Sequence, residues 1–101
     1  MDDVSLEWSP LAIESMDLVI KHIGQHNLDA AIELHAEVRK CLRRTLNFPQ
    51  MYRASARMEG VREIVVTANY IVPYRVNESE VEVLDVVHAR RNWPNAPCAI
   101  P

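Results

Sequence analysis

The chain has 101 residues, 49% hydrophobic and 25% charged, enough for one globular domain and too few for two. Eleven basic residues against fourteen acidic ones give a net charge of −3, which argues against unaided binding to nucleic acid, where affinity comes from neutralised phosphates. Its apolar runs are far shorter than a bilayer span, Asp2 and Asp3 stand where a signal peptide would build its apolar core, and Cys41 and Cys98 have neither framework nor metal spacing. These features predict a cytoplasmic chain with reduced thiols.

In chain order, VSLEW (4–8) alternates apolar and polar residues and predicts a short strand with Val4, Leu6 and Trp8 on one face. Ser9-Pro10 then signals a helix start, because serine accepts an orphan amide proton at the N-cap and proline at the first helical position has no N–H to satisfy. The helical stripe that follows is Ile13, Met16, Ile20 and Ile23, with Gly24 at its end. Asn27 caps a second helix, from about Leu28 to Leu46, with a stripe of Ala31, Leu34, Val38, Cys41 or Leu42, and Leu46. So short a link predicts an antiparallel helical hairpin. Asn47-Phe48-Pro49 stops it.

Residues 50–59 show no period and read as a loop with a short extended part. VREIVVT (61–67) and YIVPYRV (70–76) read as strands around a tight Ala68-Asn69 turn, and EVEVLDVVH (80–88) as a last strand. Pro73 has no N–H to give a ladder, so it points to an edge or a bulge. Prolines break up the tail. The order predicts an α+β fold, with an N-terminal strand and a helical hairpin packed on a small antiparallel sheet. Residues 1–94 form the domain and 95–101 a Pro-rich tail.

No Gly-rich phosphate loop, nucleophile elbow or metal-spaced His/Cys cluster is present. His22 and His26 have the i, i+4 spacing of zinc sites but lack further ligands, so a solvated helix end is the simpler reading. RKCLRR (39–44) places Arg39, Lys40, Arg43 and Arg44 near a helix C-terminus, where cations complement the dipole. Arg53, Arg57, Arg62, Arg75, His88, Arg90 and Arg91 come from four separate segments. In a meander these can converge on the sheet face away from the helices, where forked guanidinium donors suit phosphate or carboxylate. The alternative is structural pairing with Glu63, Glu80, Glu82 or Asp85.

Taken in order, these segments resemble the RelE/ParE superfamily of bacterial type II toxin–antitoxin toxins, and its ParE-like branch in particular. The pieces are W-S-P before an amphipathic helix, N-L-D-A-A opening the second, L-x-F-P closing it, G-V-R-E-I-V-V, Y-I-V-P-Y-R-V, and V-x-V-L-x-V-x-H-x-R-x-x-W-P. The resemblance implies the same helical hairpin on an antiparallel sheet and a role in plasmid stabilisation. It implies no cofactor and no metal. As partner it implies a cognate antitoxin that neutralises the toxin, bound in an apolar groove on the hairpin and sheet edge.

Two targets divide the superfamily. ParE-like members poison DNA gyrase by binding, whereas RelE-like members cut messenger RNA on the ribosome. On the first reading Arg53, Arg57, Arg62, Arg75, His88, Arg90 and Arg91 form a target-binding surface. On the second, Arg62 and Arg75 hold phosphate while His88 or Glu63 moves protons, which would make the chain an endoribonuclease. The acidic total, with Lys21 and Lys40 as its only lysines, fits a ribosomal RNA site poorly and favours gyrase. The chain departs from the ParE-like pattern at Tyr52, where a glycine commonly precedes the arginine, and in a loop one residue longer before Gly60.

Overall fold

Ser9 makes the first corner of the chain. The computed structural model describes residues 5–90 and Trp93; Arg91, Cys98 and the Pro-rich tail lie outside the described residues. Strand β1 (Ser5–Trp8) ends at Ser9, whose extended backbone (φ −66°, ψ 156°) turns into helix α1 (Pro10–Gly24). The Ser9 hydroxyl accepts the Ala12 N–H at 3.0 Å, and Pro10 stands at the start of the helix, as the sequence predicts.

The same hydroxyl donates to the Leu84 carbonyl at 3.0 Å, and the Ser9 amide donates to the Val83 carbonyl at 3.0 Å. One residue thus caps a helix and ties it to the far end of the sequence.

Helix α2 (Leu28–Asn47) starts at Asn27, whose side-chain oxygen accepts the Ala30 N–H at 3.0 Å. Its buried stripe is Ala31, Leu34, Val38, Cys41, Leu42 and Thr45, with Leu46 half-buried. In α1 the buried residues are Ala12 and Met16, with Val19, Ile20 and Ile23 half-buried. Ile13, expected inside, is 58% exposed. Ala12 sets the helical phase, and a small residue is easily passed over when apolar bulk is counted.

Five further strands complete the sheet: β2 (Arg53–Ala54), β3 (Arg62–Thr67), β4 (Tyr70–Val76), β5 (Glu80–Val83) and β6 (Val87–His88). The order across the sheet is β1-β5-β4-β3-β2, and β6 pairs with β4. Strand β1 lies parallel to β5, with Leu6 opposite Val81 and Trp8 opposite Val83, while the other pairings are antiparallel. The sheet is therefore mixed, an antiparallel meander with one parallel edge strand.

The helices cover one face, over a core of Met16, Leu34, Val38, Leu42, Ile64, Val72, Tyr74, Val81 and Val83. A smaller cluster on the other face joins Val61, Ile71, Val87 and Trp93.

The expected last strand, 80–88, divides into β5 and β6, and Pro73 supplies the reason. Pro73 is buried within β4, which has neighbours on both sides. Its carbonyl accepts the Leu84 N–H at 2.9 Å, so the side of the residue that lacks a donor faces Leu84–Val86. Along the same edge of β4 the pairing passes from Tyr74–Val83 to Ile71–Val87, which inserts one extra residue. That bulge lets Val83 and Val86 both enter the main core. Of the two places expected for Pro73, it occupies the bulge.

Replacing Ser9 with alanine removes the helix cap and the bond to Leu84 together. Urea unfolding of Ser9→Ala is expected to show a loss of about 1–2 kcal/mol, from one N-cap and one interior hydrogen bond. A loss below about 0.5 kcal/mol would contradict this account of the corner.

Candidate functional site

Strand alternation decides where the arginines point. Arg62 lies opposite Tyr74 in the β3–β4 register, and Tyr74 lies opposite Val83. Residues directly opposite share a face, so Arg62 is on the helix side, at its margin. There its guanidinium donates to the Tyr52 carbonyl at 2.8 Å, while the Tyr74 hydroxyl donates to the Pro49 carbonyl at 2.7 Å. Two side chains of the sheet thus hold the segment that leaves α2.

Glu63 and Arg75 point to the opposite face. Glu63 is 4% exposed and satisfied in full view of one loop. One carboxylate oxygen accepts from the Arg53 Nε and Nη2 at 3.1 and 2.8 Å, and the other accepts from the Ser55 hydroxyl at 2.7 Å. Ser55 in turn accepts the backbone N–H groups of Arg57 and Met58, and its own amide donates to the Val61 carbonyl at 2.8 Å. A buried charge is costly unless paired and hydrogen-bonded, so this carboxylate fixes the shape of residues 53–58. Gly60 finishes the loop with φ 80°, a conformation in which a side chain is strained.

Arg75 lies opposite Glu82 without an ion pair, and its Nη2 rests 3.9 Å from the Met58 sulfur. Among the described residues, neither Arg62 nor Arg75 forms a salt bridge. Of the arginines on the sheet, Arg53 has the structural pairing the sequence allowed, and these two do not.

His88 sits opposite Tyr70 at the other end of β4, its ring 5.2 Å from the tyrosine ring in an edge-on arrangement. Its Nδ1 accepts the Arg90 N–H at 3.2 Å. Five residues of strand separate Tyr70 from Arg75, about 17 Å at the usual rise. The expected convergence on the uncovered face is therefore only partial. Arg53, Arg75 and the loop that carries Arg57 share that face. Arg62 is turned away by alternation, His88 and the exposed Arg90 belong to the distant end of β4, and Arg91 lies outside the described residues.

Sequence reading missed a polar group under the end of α2. Burial pushes the Tyr74 hydroxyl pKa up, against the lowering influence of the nearby Arg62. Burial also raises Tyr52 and Cys41. The Cys41 thiol donates to a Glu37 carboxylate oxygen at 3.6 Å. The Tyr52 hydroxyl lies within electrostatic reach of Cys41 and Arg44 but aligns with no hydrogen-bond partner. The usable signal was Tyr74 itself, because a tyrosine in a valine-rich strand must find an acceptor for its hydroxyl. The His22 and His26 rings are 6.1 Å apart and both residues are exposed. Among the described residues no group of three or more His, Cys, Asp or Glu gathers as a metal site, and no helix is long and apolar enough to cross a membrane.

Residues 6–93 match the family model for the ParE toxin of the type II toxin–antitoxin system parDE. The chain belongs to the ParE toxin family. Among relatives, it is 30% identical over 90 residues to Y4kP of Sinorhizobium fredii, described as a candidate toxin, spanning 88% of this chain and 92% of that one. The fold also matches a chain of the chromosomal ParDE toxin–antitoxin system from P. aeruginosa, with a TM-score of 0.73. That match covers 84% of this chain and 95% of the other at 19% identity, a likeness of fold.

For this ParE-family chain the raised tyrosine values set an alkaline limit. A folded-state pKa above the unfolded value gives stability that is complete below about pH 10, the ordinary tyrosine value, and is lost as pH rises through the folded value. Tyr74→Phe is expected to cost about 1 kcal/mol at pH 7, through the Pro49 carbonyl left without its donor, and to flatten the decline above about pH 10. Thermal unfolding across that range checks both effects. An unchanged alkaline slope would assign the decline to Tyr52 and Cys41 instead.

Proposed function

We propose that this ParE-family toxin arrests growth in the cytoplasm by occupying DNA gyrase so that cleaved DNA is not resealed, and that a cognate antitoxin keeps it inactive. What supports binding over bond-breaking is the separation of Arg62, Arg75 and His88. A nuclease needs its phosphate-holding cations and its proton-moving group at one spot, because a general acid or base must come within hydrogen-bond reach of the proton it moves. Here Arg62 and Arg75 occupy opposite faces of the sheet, and His88 lies about 17 Å along β4 from Arg75. Glu63, the other proton-moving candidate, is held by Arg53 and Ser55.

The reading gives the uncovered face around Arg75 the role of target contact. Arg75 suits it physically. Its guanidinium is oriented by Met58 and has no ion pair within the described part of the chain, so a partner's carboxylate can bind it bidentately without breaking an existing pair. Arg57 is exposed on the same loop. Arg53 supports the loop through Glu63, and its contribution to target binding is indirect.

Pulse-labelling of DNA, RNA and protein synthesis after induction of the chain alone tests the target. DNA synthesis is expected to fall first, and Arg75→Ala is expected to delay the fall at equal protein level. His88→Ala is expected to leave it within about twofold. A first fall in protein synthesis, abolished by His88→Ala, would replace gyrase by the ribosome. No fall in any of the three would leave a module that binds antitoxin and harms nothing.

A further inference from the structure

The contact between Arg75 and Met58 joins a strong donor to a weak acceptor. Arg75 lies opposite Glu82, yet its Nη2 rests 3.9 Å from the Met58 sulfur rather than on that carboxylate. A guanidinium carries five N–H donors, whereas a thioether sulfur accepts only weakly. A cation on the uncovered face is thus held in place without being satisfied.

The loop fixes where the sulfur stands. The Met58 amide donates to the Ser55 hydroxyl at 3.2 Å, and that hydroxyl donates to the buried Glu63 carboxylate at 2.7 Å. The Met58 side chain packs against the cluster of Val61, Ile71, Val87 and Trp93. Met58 and Arg75 are both half-buried, which leaves the pair open to a small solute. The chain has four methionines, and their settings differ. Met16 is buried in the main core, Met51 is exposed after α2, and Met1 lies outside the described residues. Among the described methionines, Met58 is the one with a cation against its sulfur.

Peroxides oxidise methionine to the sulfoxide, and sulfoxide reductases return it to the thioether. With hydrogen peroxide, a sulfur lone pair attacks one oxygen and forms the S–O bond while the O–O bond breaks. The departing hydroxide takes the proton from the transferred oxygen and leaves as water. Sulfur is oxidised and peroxide reduced. Donors of Arg75 beside the sulfur stabilise the departing hydroxide, a setting that Met51 lacks.

The product changes what Arg75 can do. An N–H···O bond is about 2.7–3.2 Å long, and an oxygen carried on the sulfur falls inside the present 3.9 Å separation. Rotation about the methionine side-chain bonds lets either sulfoxide epimer turn its oxygen to the guanidinium. A charge-assisted hydrogen bond then replaces a weak contact.

We propose that Met58 is a reversible oxidation site: a hydroperoxide converts its thioether to the sulfoxide, whose oxygen captures the Arg75 guanidinium and withholds it from a partner's carboxylate. The inference rests on the reading of Arg75 as a target contact. It makes the toxin's working surface sensitive to oxidant, with the loop that orients Arg75 also carrying the switch.

Hydrogen peroxide is the probe, applied to the folded full chain and followed by peptide mass spectrometry. Phenylglyoxal, which modifies free guanidinium groups, reports whether Arg75 is engaged with no target present. Met58 is expected to gain one oxygen, and Arg75 modification to slow about tenfold, as a competing bond to a charged group predicts. The two epimer-specific sulfoxide reductases are expected to restore the rate. Met51→Leu keeps this response, whereas in Met58→Leu peroxide leaves the Arg75 rate unchanged. Thermal unfolding separates capture from damage, because damage lowers Tm and frees Arg75.

Oxidised Met58 with an unchanged or faster Arg75 rate would overturn the proposal. So would a Met58 that stays reduced after Met51 is fully oxidised, or an equal slowing in Met58→Leu. Binding of the full chain to purified gyrase is expected to weaken about tenfold on oxidation and to recover on reduction. A slowed Arg75 with undiminished gyrase binding would overturn the switch. A reduced chain that binds no gyrase would sink the gyrase reading, while the Arg75 rates decide the capture independently.

Discussion

The architecture depends on a corner one residue wide. At Ser9 the chain leaves a strand and enters a helix, and the same residue bonds to Val83 and Leu84, 74 and 75 positions away. Parallel strands cannot be joined by a tight turn and need a long crossover. Here the crossover is nearly the whole domain, comprising both helices and three strands. With the start of α1 pinned to the end of β5, the hairpin has one way to lie across the sheet. The main core, from Met16 and Leu34 to Val72 and Val81, follows from that placement.

Local chemistry was legible where a residue's own needs fix the backbone. Ser9-Pro10 and Asn27 mark helix starts because orphan amides require acceptors, and the structure has both caps as read. The strands around Asn69 and the hairpin were equally clear from period and loop length. Illegible features were those that depend on a distant neighbour. Nothing in VSLEW says that its partner is EVEV or that the two run parallel. The division of the last strand follows from Pro73, eleven or more residues upstream of the bulge it provokes in space. Even where Pro73 signalled an irregularity, the sequence did not say which strand would carry it.

The arginines illustrate a stricter limit. A strand's period of two makes face assignment absolute once the register is known, but apolar residues on both faces of β3 and β4 hide that register. Arg62 and Arg75 read as one pair in sequence, and alternation puts them on opposite sides of the sheet. Arg53 is the reverse case, an exposed cation (59%) whose partner Glu63 is almost fully buried. Its geometry serves the loop, which in turn presents Met58 to Arg75. A family pattern transfers residue types more readily than it transfers what each residue touches.

The parallel pairing of β1 with β5 also has a temporal side. Strand β1 precedes its partner, Glu80–Val83, which emerges only after nearly nine-tenths of the described chain. Closing so long a loop is slow relative to forming local contacts. Until then the hairpin has no complete sheet beneath it, and its inner apolar face lacks a cover. The nascent chain is therefore a different object from the finished toxin: it exposes core surface to chaperones and proteases and has no assembled β4 on which to hold Arg75. The topology itself keeps the sheet open until β4 and β5 have both been made.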